Sequence, residues 1–121
     1  MKAQRLRGEL EQFALMPGLQ GCALVEIDTG MVWHAAGSIA DVQKIAEASS
    51  DYWRLYQRQR IHFEHLGDLR AQVMMHREVR ITMLPCGPGM LLIALSREQE
   101  PVDWARLQNK TLALKQMVAE L

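Results

Sequence analysis

Apolar residues fall into two nearly continuous runs and several periodic ones, and the first run organises the chain. Between Cys22 and Ile27 both alternating sets, Cys22/Leu24 and Ala23/Val25/Ile27, are apolar. A strand apolar on both sides is covered on both sides, so this segment is expected in the middle of a sheet. Asp28-Thr29-Gly30 and a second run from Met31 to Ala36 complete a hairpin. Gly30 closes it, because a three-residue loop commonly ends in a left-handed residue, where glycine carries no steric cost. Met90 to Leu95 is the second continuous run and is expected beside the first strand.

Helical spacing accounts for most of the remainder. Leu6, Leu10, Phe13 and Ala14 form one stripe between Ala3 and Met16, and Pro17-Gly18 ends that helix. After Gly37, Ser38 three residues before Asp41 resembles a capping box, and a long helix is expected to follow, to about Phe63. Ile39, Val42, Ile45, Ala46, Ser49, Tyr52, Trp53 and Tyr56 recur at helical spacing, opposite Gln43, Lys44, Glu47, Asp51, Arg54 and Arg58. Tyr52, Trp53, Leu55 and Tyr56 point in more than one direction around the axis, so a rim of aromatics is expected to stay uncovered in the monomer, as interaction sites often are. A last helix, with Glu98, Glu100 and Pro101 favouring its start, carries a core stripe of Trp104, Leu107, Thr111, Leu114, Val118 and Leu121. The same stripe has coiled-coil spacing, but over fewer than three heptads packing on the sheet is preferred.

Between the two later helices the pattern alternates. Leu69, Ala71, Val73 and Met75 lie on one face of a predicted half-buried strand, and Arg70, Gln72, Met74 and His76 on the other. The chain turns at Arg77-Glu78, and Val79, Ile81 and Met83 alternate with Arg80, Thr82 and Leu84, so this hairpin is expected to pair basic and polar groups across one face. Pro85-Cys86-Gly87-Pro88-Gly89 is a turn by composition. The predicted order is α-β-β-α-β-β-β-α in a single domain, residues 1–121, of the α+β class.

Composition removes function classes more than it adds them. At 121 residues one core is available, burying roughly two-thirds of the unfolded surface. Lys plus Arg and Asp plus Glu each number 14, which leaves no general attraction for nucleic acid or anionic lipid. Arg54, Arg58 and Arg60 read as decoration of one side of a helix. The start lacks the apolar core of a signal peptide and no run is long enough to cross a membrane, so a cytoplasmic protein is expected. Eight methionines serve core filling or adaptable contact surfaces.

Chemistry-bearing residues do not assemble into a known motif. Cys22 and Cys86 have no metal or redox spacing. Cys86, in a turn, is the one candidate for a reactive thiol, without an identifiable base. His62 and His65 are three apart around Glu64, not the four-residue spacing of zinc metalloprotease helices; His34 and His76 stand in alternating strands. Gly87-Pro88-Gly89 precedes a strand rather than a helix and is no phosphate loop. No catalytic residue, cofactor or metal is expected.

The stretch Gly18-Leu19-Gln20-Gly21-Cys22-Ala23-Leu24-Val25-Glu26-Ile27-Asp28-Thr29-Gly30-Met31-Val32 resembles the opening hairpin of the roadblock/dynein-light-chain family, and the element order extends the likeness over nearly the whole chain. Trp33 and His34, where small or aliphatic residues are usual, and the aromatic cluster around Trp53 depart from it. The resemblance implies a five-stranded antiparallel sheet with the long helix on one face and the terminal helices on the other. It implies a homodimer in which the strand Leu69 to His76 pairs with its symmetry mate while the long helices lie side by side. It also implies a non-catalytic regulator or scaffold of a nucleotide-hydrolysing switch or motor, small Ras-like GTPases included. A long, regular edge strand is independently a reason to pair.

The expected dimer or partner contacts are therefore Tyr52, Trp53, Tyr56, Gln59 and Arg60 on the helix and Leu69, Ala71, Val73 and Met75 on the strand; Tyr, Trp and Arg are the usual binding hot spots. Two rivals remain. A small-molecule sensor of the PAS or GAF type requires an apolar pocket between sheet and helix. An enzyme using Cys86 or the histidines requires an activated thiol.

Overall fold

The computed structural model describes residues 2–97 and 102–120. Helix α1 (Lys2–Ala14) leads into strands β1 (Leu19–Glu26) and β2 (Val32–Gly37), then helix α2 (Val42–Arg58), strands β3 (Gln72–Met75), β4 (Val79–Pro85) and β5 (Met90–Arg97), and helix α3 (Trp104–Ala119). The strands form one antiparallel sheet in the order β2-β1-β5-β4-β3. The two apolar runs are thus neighbours, β1 and β5, with the long periodic helix on one face and the terminal helices on the other.

The alternation within β1 and β5 divides the core into two layers. Cys22, Leu24, Leu92 and Ala94 face Leu6, Leu10 and Phe13 of α1 and Leu107, Leu114 and Val118 of α3. Ala23, Val25, Leu91, Ile93 and Leu95 face Val42, Ala46 and Trp53 of α2. Thr111 is tolerated in the α3 stripe because its hydroxyl donates to the Leu107 carbonyl one turn back, at 2.8 Å. The expected roles of Glu98, Glu100, Pro101 and Leu121 fall outside the described residues.

Two boundaries of the long helix differ from the periodicity. The capping box is not formed: Asp41 is itself the N-cap, at φ 61°, with no side-chain hydrogen bond to the helix. The residues before it hold the chain to β1 instead, with the Ser38 and Ile39 N–H groups both donating to the Gln20 carbonyl, at 2.9 and 3.1 Å. Gly37 permits that close approach, since a Cβ there would lie 2.3 Å from the Gly21 Cα. At the other end α2 stops at Arg58, and the chain continues as two single 3₁₀ turns, Arg60–His62 and Glu64–Leu66. Tyr56 and Phe63 stack across the change of helix type, with ring centroids 4.9 Å apart.

The strand expected from Leu69 to His76 is only four residues long, and Pro85 explains its late start. The Cys86 N–H donates to the Met90 carbonyl at 2.9 Å, so by the alternation of an antiparallel ladder the peptide group of Pro85 faces the β3 side. With no N–H there, the pair it would make with residue 70 cannot close, and the β3–β4 ladder begins at Gln72↔Met83. Leu69 and Ala71 therefore precede the strand, and Leu69 is half-buried against the α2-side core.

The facing of this hairpin is also opposite to the expectation. Its loop has two residues, so Met75 pairs with Arg80, Met74 with Ile81 and Val73 with Thr82. Basic and polar groups are not opposite one another. Met74 packs on the α2-side core, whereas the apolar pair Val73 and Met75 turns to the other face, where 48% and 65% of their surface stays exposed.

Candidate functional site: the β3 edge and the flank of α2

The sheet has two outer strands, and they are not equivalent. Along β2 the register slips at Trp33, an extra residue between Val25↔Val32 and Leu24↔His34. A bulge twists an edge away from flat pairing. β3 has none. The His76 N–H donates to the Val79 carbonyl at 2.9 Å, which makes 76/79 a hydrogen-bonded pair and, by alternation, Met74/Ile81 and Gln72/Met83 as well. The N–H and C=O groups of Val73 and Met75 consequently point outward, away from β4.

The flank of α2 beside this edge is apolar. Ile45, Ala48, Tyr52, Leu55 and Gln59 are spaced 3, 4, 3, 4 along the chain, a seam next to the core-facing stripe. Tyr52 and Leu55 are 52% and 46% exposed. The Gln72 side-chain amide donates to the Tyr52 backbone carbonyl at 3.4 Å, which ties β3 to this flank, and the other Gln72 amide atom, Oε1, is buried with no partner. The opposite flank is charged and already occupied. There Arg54 pairs with Asp51 and donates to the Ile27 carbonyl at 2.8 Å and to the Ser50 hydroxyl at 3.0 Å, clamping the β1–β2 turn onto the helix. Among the described residues, only one side of α2 offers unpartnered apolar surface, and it adjoins the open strand.

The expected contact residues divide accordingly. Tyr52, Gln59 and Arg60 are exposed, Tyr56 is half-buried by its stacking on Phe63, and Val73, Met75 and Ala71 are exposed at the edge. Trp53 is a correction: at 5% exposure it fills the α2-side core, and only its margin reaches the open cleft of about 440 Å³ that Tyr56, Arg60 and Leu69 also line. Ile45, Ala48 and Leu55 belong to the seam but are not among the expected contacts; the sequence pattern puts Leu55 at the rim expected to stay uncovered and Ile45 on the helix's apolar stripe, and does not single out Ala48. Ile61 and Leu66, 71% and 69% exposed on the 3₁₀ turns, extend the apolar surface.

Nothing reactive converges here or elsewhere among the described residues. Cys86 is fully buried rather than exposed in its turn, and burial pushes its thiol up to about 12; Cys22 is likewise raised to about 12, its thiol donating to the Leu10 carbonyl at 3.4 Å. Neither is a thiolate near neutrality. His62, His65 and His76 are exposed, His34 is half-buried facing Arg7 and Glu11, and its pKa is lowered, chiefly by burial. No group of three or more His, Cys, Asp or Glu among the described residues could hold a metal ion. No described helix is long and apolar enough to cross a membrane. Between the sheet and α2, Ala23, Val25, Leu91, Ile93 and Leu95 are wholly enclosed, which leaves no room there for the ligand of a PAS- or GAF-type sensor.

Neither family models nor curated sequences match the chain. Solved structures do. A Roadblock/LC7 domain from Streptomyces avermitilis superposes with a TM-score of 0.74 at 24% identity, over 96% of this chain and 93% of that one. The chain has the Roadblock/LC7 fold. The gliding protein MglB from Thermus thermophilus shares it with a TM-score of 0.81 at 16% identity, over 99% of this chain and 93% of that one. MglC from Myxococcus xanthus superposes less well, with a TM-score of 0.55 at 15% identity over the full length of both chains.

Proposed function

We propose that this chain is a non-catalytic regulatory or scaffold module that works as a homodimer and binds a nucleotide-hydrolysing protein, a small Ras-like GTPase or a motor component. Two copies would join through the outward peptide groups of Val73 and Met75, with Ala71 and Leu69 at the ends of the seam. The two α2 flanks would then lie side by side over the joined sheet, presenting Tyr52, Leu55, Tyr56, Gln59 and Arg60 as one surface.

A single observation carries this reading: an unbulged edge strand with free backbone groups stands directly beside the unpartnered apolar flank of α2, the two linked through Gln72 and Tyr52. Edge strands of this kind are templates for pairing, and a twofold axis satisfies both copies at once. The buried, unpartnered Gln72 oxygen lies at the same margin, where a second chain could supply a donor. Self-assembly has a precedent in the fold, since one MglB structure is described with a tetrameric arrangement.

The test has two arms. Sedimentation equilibrium should give a dimer at micromolar concentration; a monomer at tens of micromolar overturns the pairing. Wild type and a Tyr52→Ala/Leu55→Ala variant, used as baits in the native cell, should differ in recovery of a nucleotide-hydrolysing protein. Equal recovery, or none, overturns the role of the α2 surface.

A further inference from the structure

On the sheet face opposite α2, the terminal helices stop short of the outermost strand. α1 and α3 cover β2, β1 and β5, and between α3 and the β4–β3 margin an open trough remains. It has two connected sections of about 320 and 510 Å³, which share Ala71, Leu84 and Gln108. Val73, Leu84, Trp104 and Leu107 make the first section apolar, and Leu112, 57% exposed, stands over the second.

Two further features say what would fill it. Thr82 lies in the floor, only 4% exposed, and its hydroxyl has no hydrogen-bond partner, so an incoming polar group would satisfy an atom the protomer leaves unsatisfied. Among the described residues the charges available at the rim are of one sign: Arg70 and Lys115 flank one section, and no carboxylate among the described residues lines either. Along α3 the trough runs from Trp104 to Lys115, roughly 16 Å at the helical rise, or about three turns.

We propose that this trough is a second protein-docking site, which takes an acidic amphipathic helix of about three turns from a partner. The helix would lie alongside α3 and complete the layer that α1 and α3 leave unfinished. Its apolar positions at i, i+3 and i+7 would rest on Val73, Leu84 and Leu112, its carboxylates would meet Arg70 and Lys115, and one polar group would bond the Thr82 hydroxyl. Every side chain involved belongs to one protomer, although Ala71 and Val73 also stand on the edge where two copies would pair through their backbone groups.

The experiment is a titration of the full-length, isotopically labelled protein with two synthetic helical peptides of about fourteen residues. Both carry leucine at i, i+3, i+7 and i+10; one has glutamate at the remaining positions and the other lysine. The acidic peptide should shift the amide signals of Val73, Leu84 and Leu112 and the indole signal of Trp104, and bind at least about tenfold more tightly than the basic one. Arg70→Glu with Lys115→Glu should invert that preference. Leu112→Ser, at an exposed position and without a change of charge, should weaken acidic-peptide binding by about tenfold without moving the unfolding midpoint. Equal affinity for both peptides, or shifts confined to α2, overturns the proposal. So does movement of the Trp104 indole and Leu112 signals with protein concentration alone, which would make a second copy the occupant; the Val73 amide is left out of this control because it lies on the edge where two copies would pair.

Discussion

Val73→Pro separates the edge of the sheet from its interior. Proline removes one N–H, and at Val73 that N–H points away from β4, so the intramolecular ladder through Met74/Ile81 and Gln72/Met83 is left intact. In a dimer paired through β3, each copy loses one donor, hence two hydrogen bonds per assembly. At about 1 kcal/mol net for each, the loss is about 2 kcal/mol, or roughly thirtyfold in the dimer dissociation constant. The proline ring, placed where the facing strand must approach, adds to this. Met74→Pro is the matched control, because its N–H points into the protomer and its loss should open the β3–β4 hairpin. Sedimentation equilibrium of wild type and both variants, with thermal unfolding of each at low concentration, separates the outcomes. A Val73→Pro dimer as tight as wild type to within about threefold, or a Val73→Pro protomer destabilised as much as Met74→Pro, refutes the edge assignment.

Other substitutions read the two sides of α2. Trp53→Ala should cost about 3–5 kcal/mol in urea unfolding, because the ring fills the α2-side core at 5% exposure, and a near-neutral result would mean that the core is wrongly drawn. Tyr52→Glu and Leu55→Glu, at exposed positions, should leave the unfolding midpoint in place while weakening self-association by about tenfold; unchanged sedimentation removes the seam from the interface. Cys22 and Cys86 should resist iodoacetamide at neutral pH until the protein is unfolded, and fast labelling of either would contradict its burial. Both thiols are raised from 9.0 to about 12, so their neutral forms favour the folded state. Stability should hold up to about pH 9 and fall as pH rises from there through 12, and Cys22→Ser/Cys86→Ser should flatten that alkaline loss.

The parts of the fold that were legible were those where one local pattern admits one structure. A segment such as Met90 to Leu95, with no polar side, can be satisfied only in the middle of a two-faced sheet, and Leu6, Leu10 and Phe13 can share a face only on a helix. The hairpin from Gln72 to Pro85 was not legible in this way. Alternation pointed the wholly apolar set Val73/Met75 inward, yet the pairing set by the two-residue loop places Met74 opposite Ile81 on the covered face and leaves Val73 and Met75 outside. The length of β3 depended on a proline thirteen positions further on. Trp53 and Tyr52 are adjacent aromatics of similar outward chemistry. One is core and the other surface because they differ by about 100° around the α2 axis, and the sheet lies on one side only.

By itself the chain's pattern determined the order of the helices and strands and the two central strands, since these follow from residue chemistry repeated at the backbone's own periods. Packing alone decided which apolar residues remain outside. Val73, Met75, Tyr52, Leu55 and Leu112 are as apolar as many residues inside, and they are exposed because neighbouring elements end before reaching them. Burial is a property of what arrives from elsewhere in the chain, and the candidate interfaces are the places where nothing from this chain arrives.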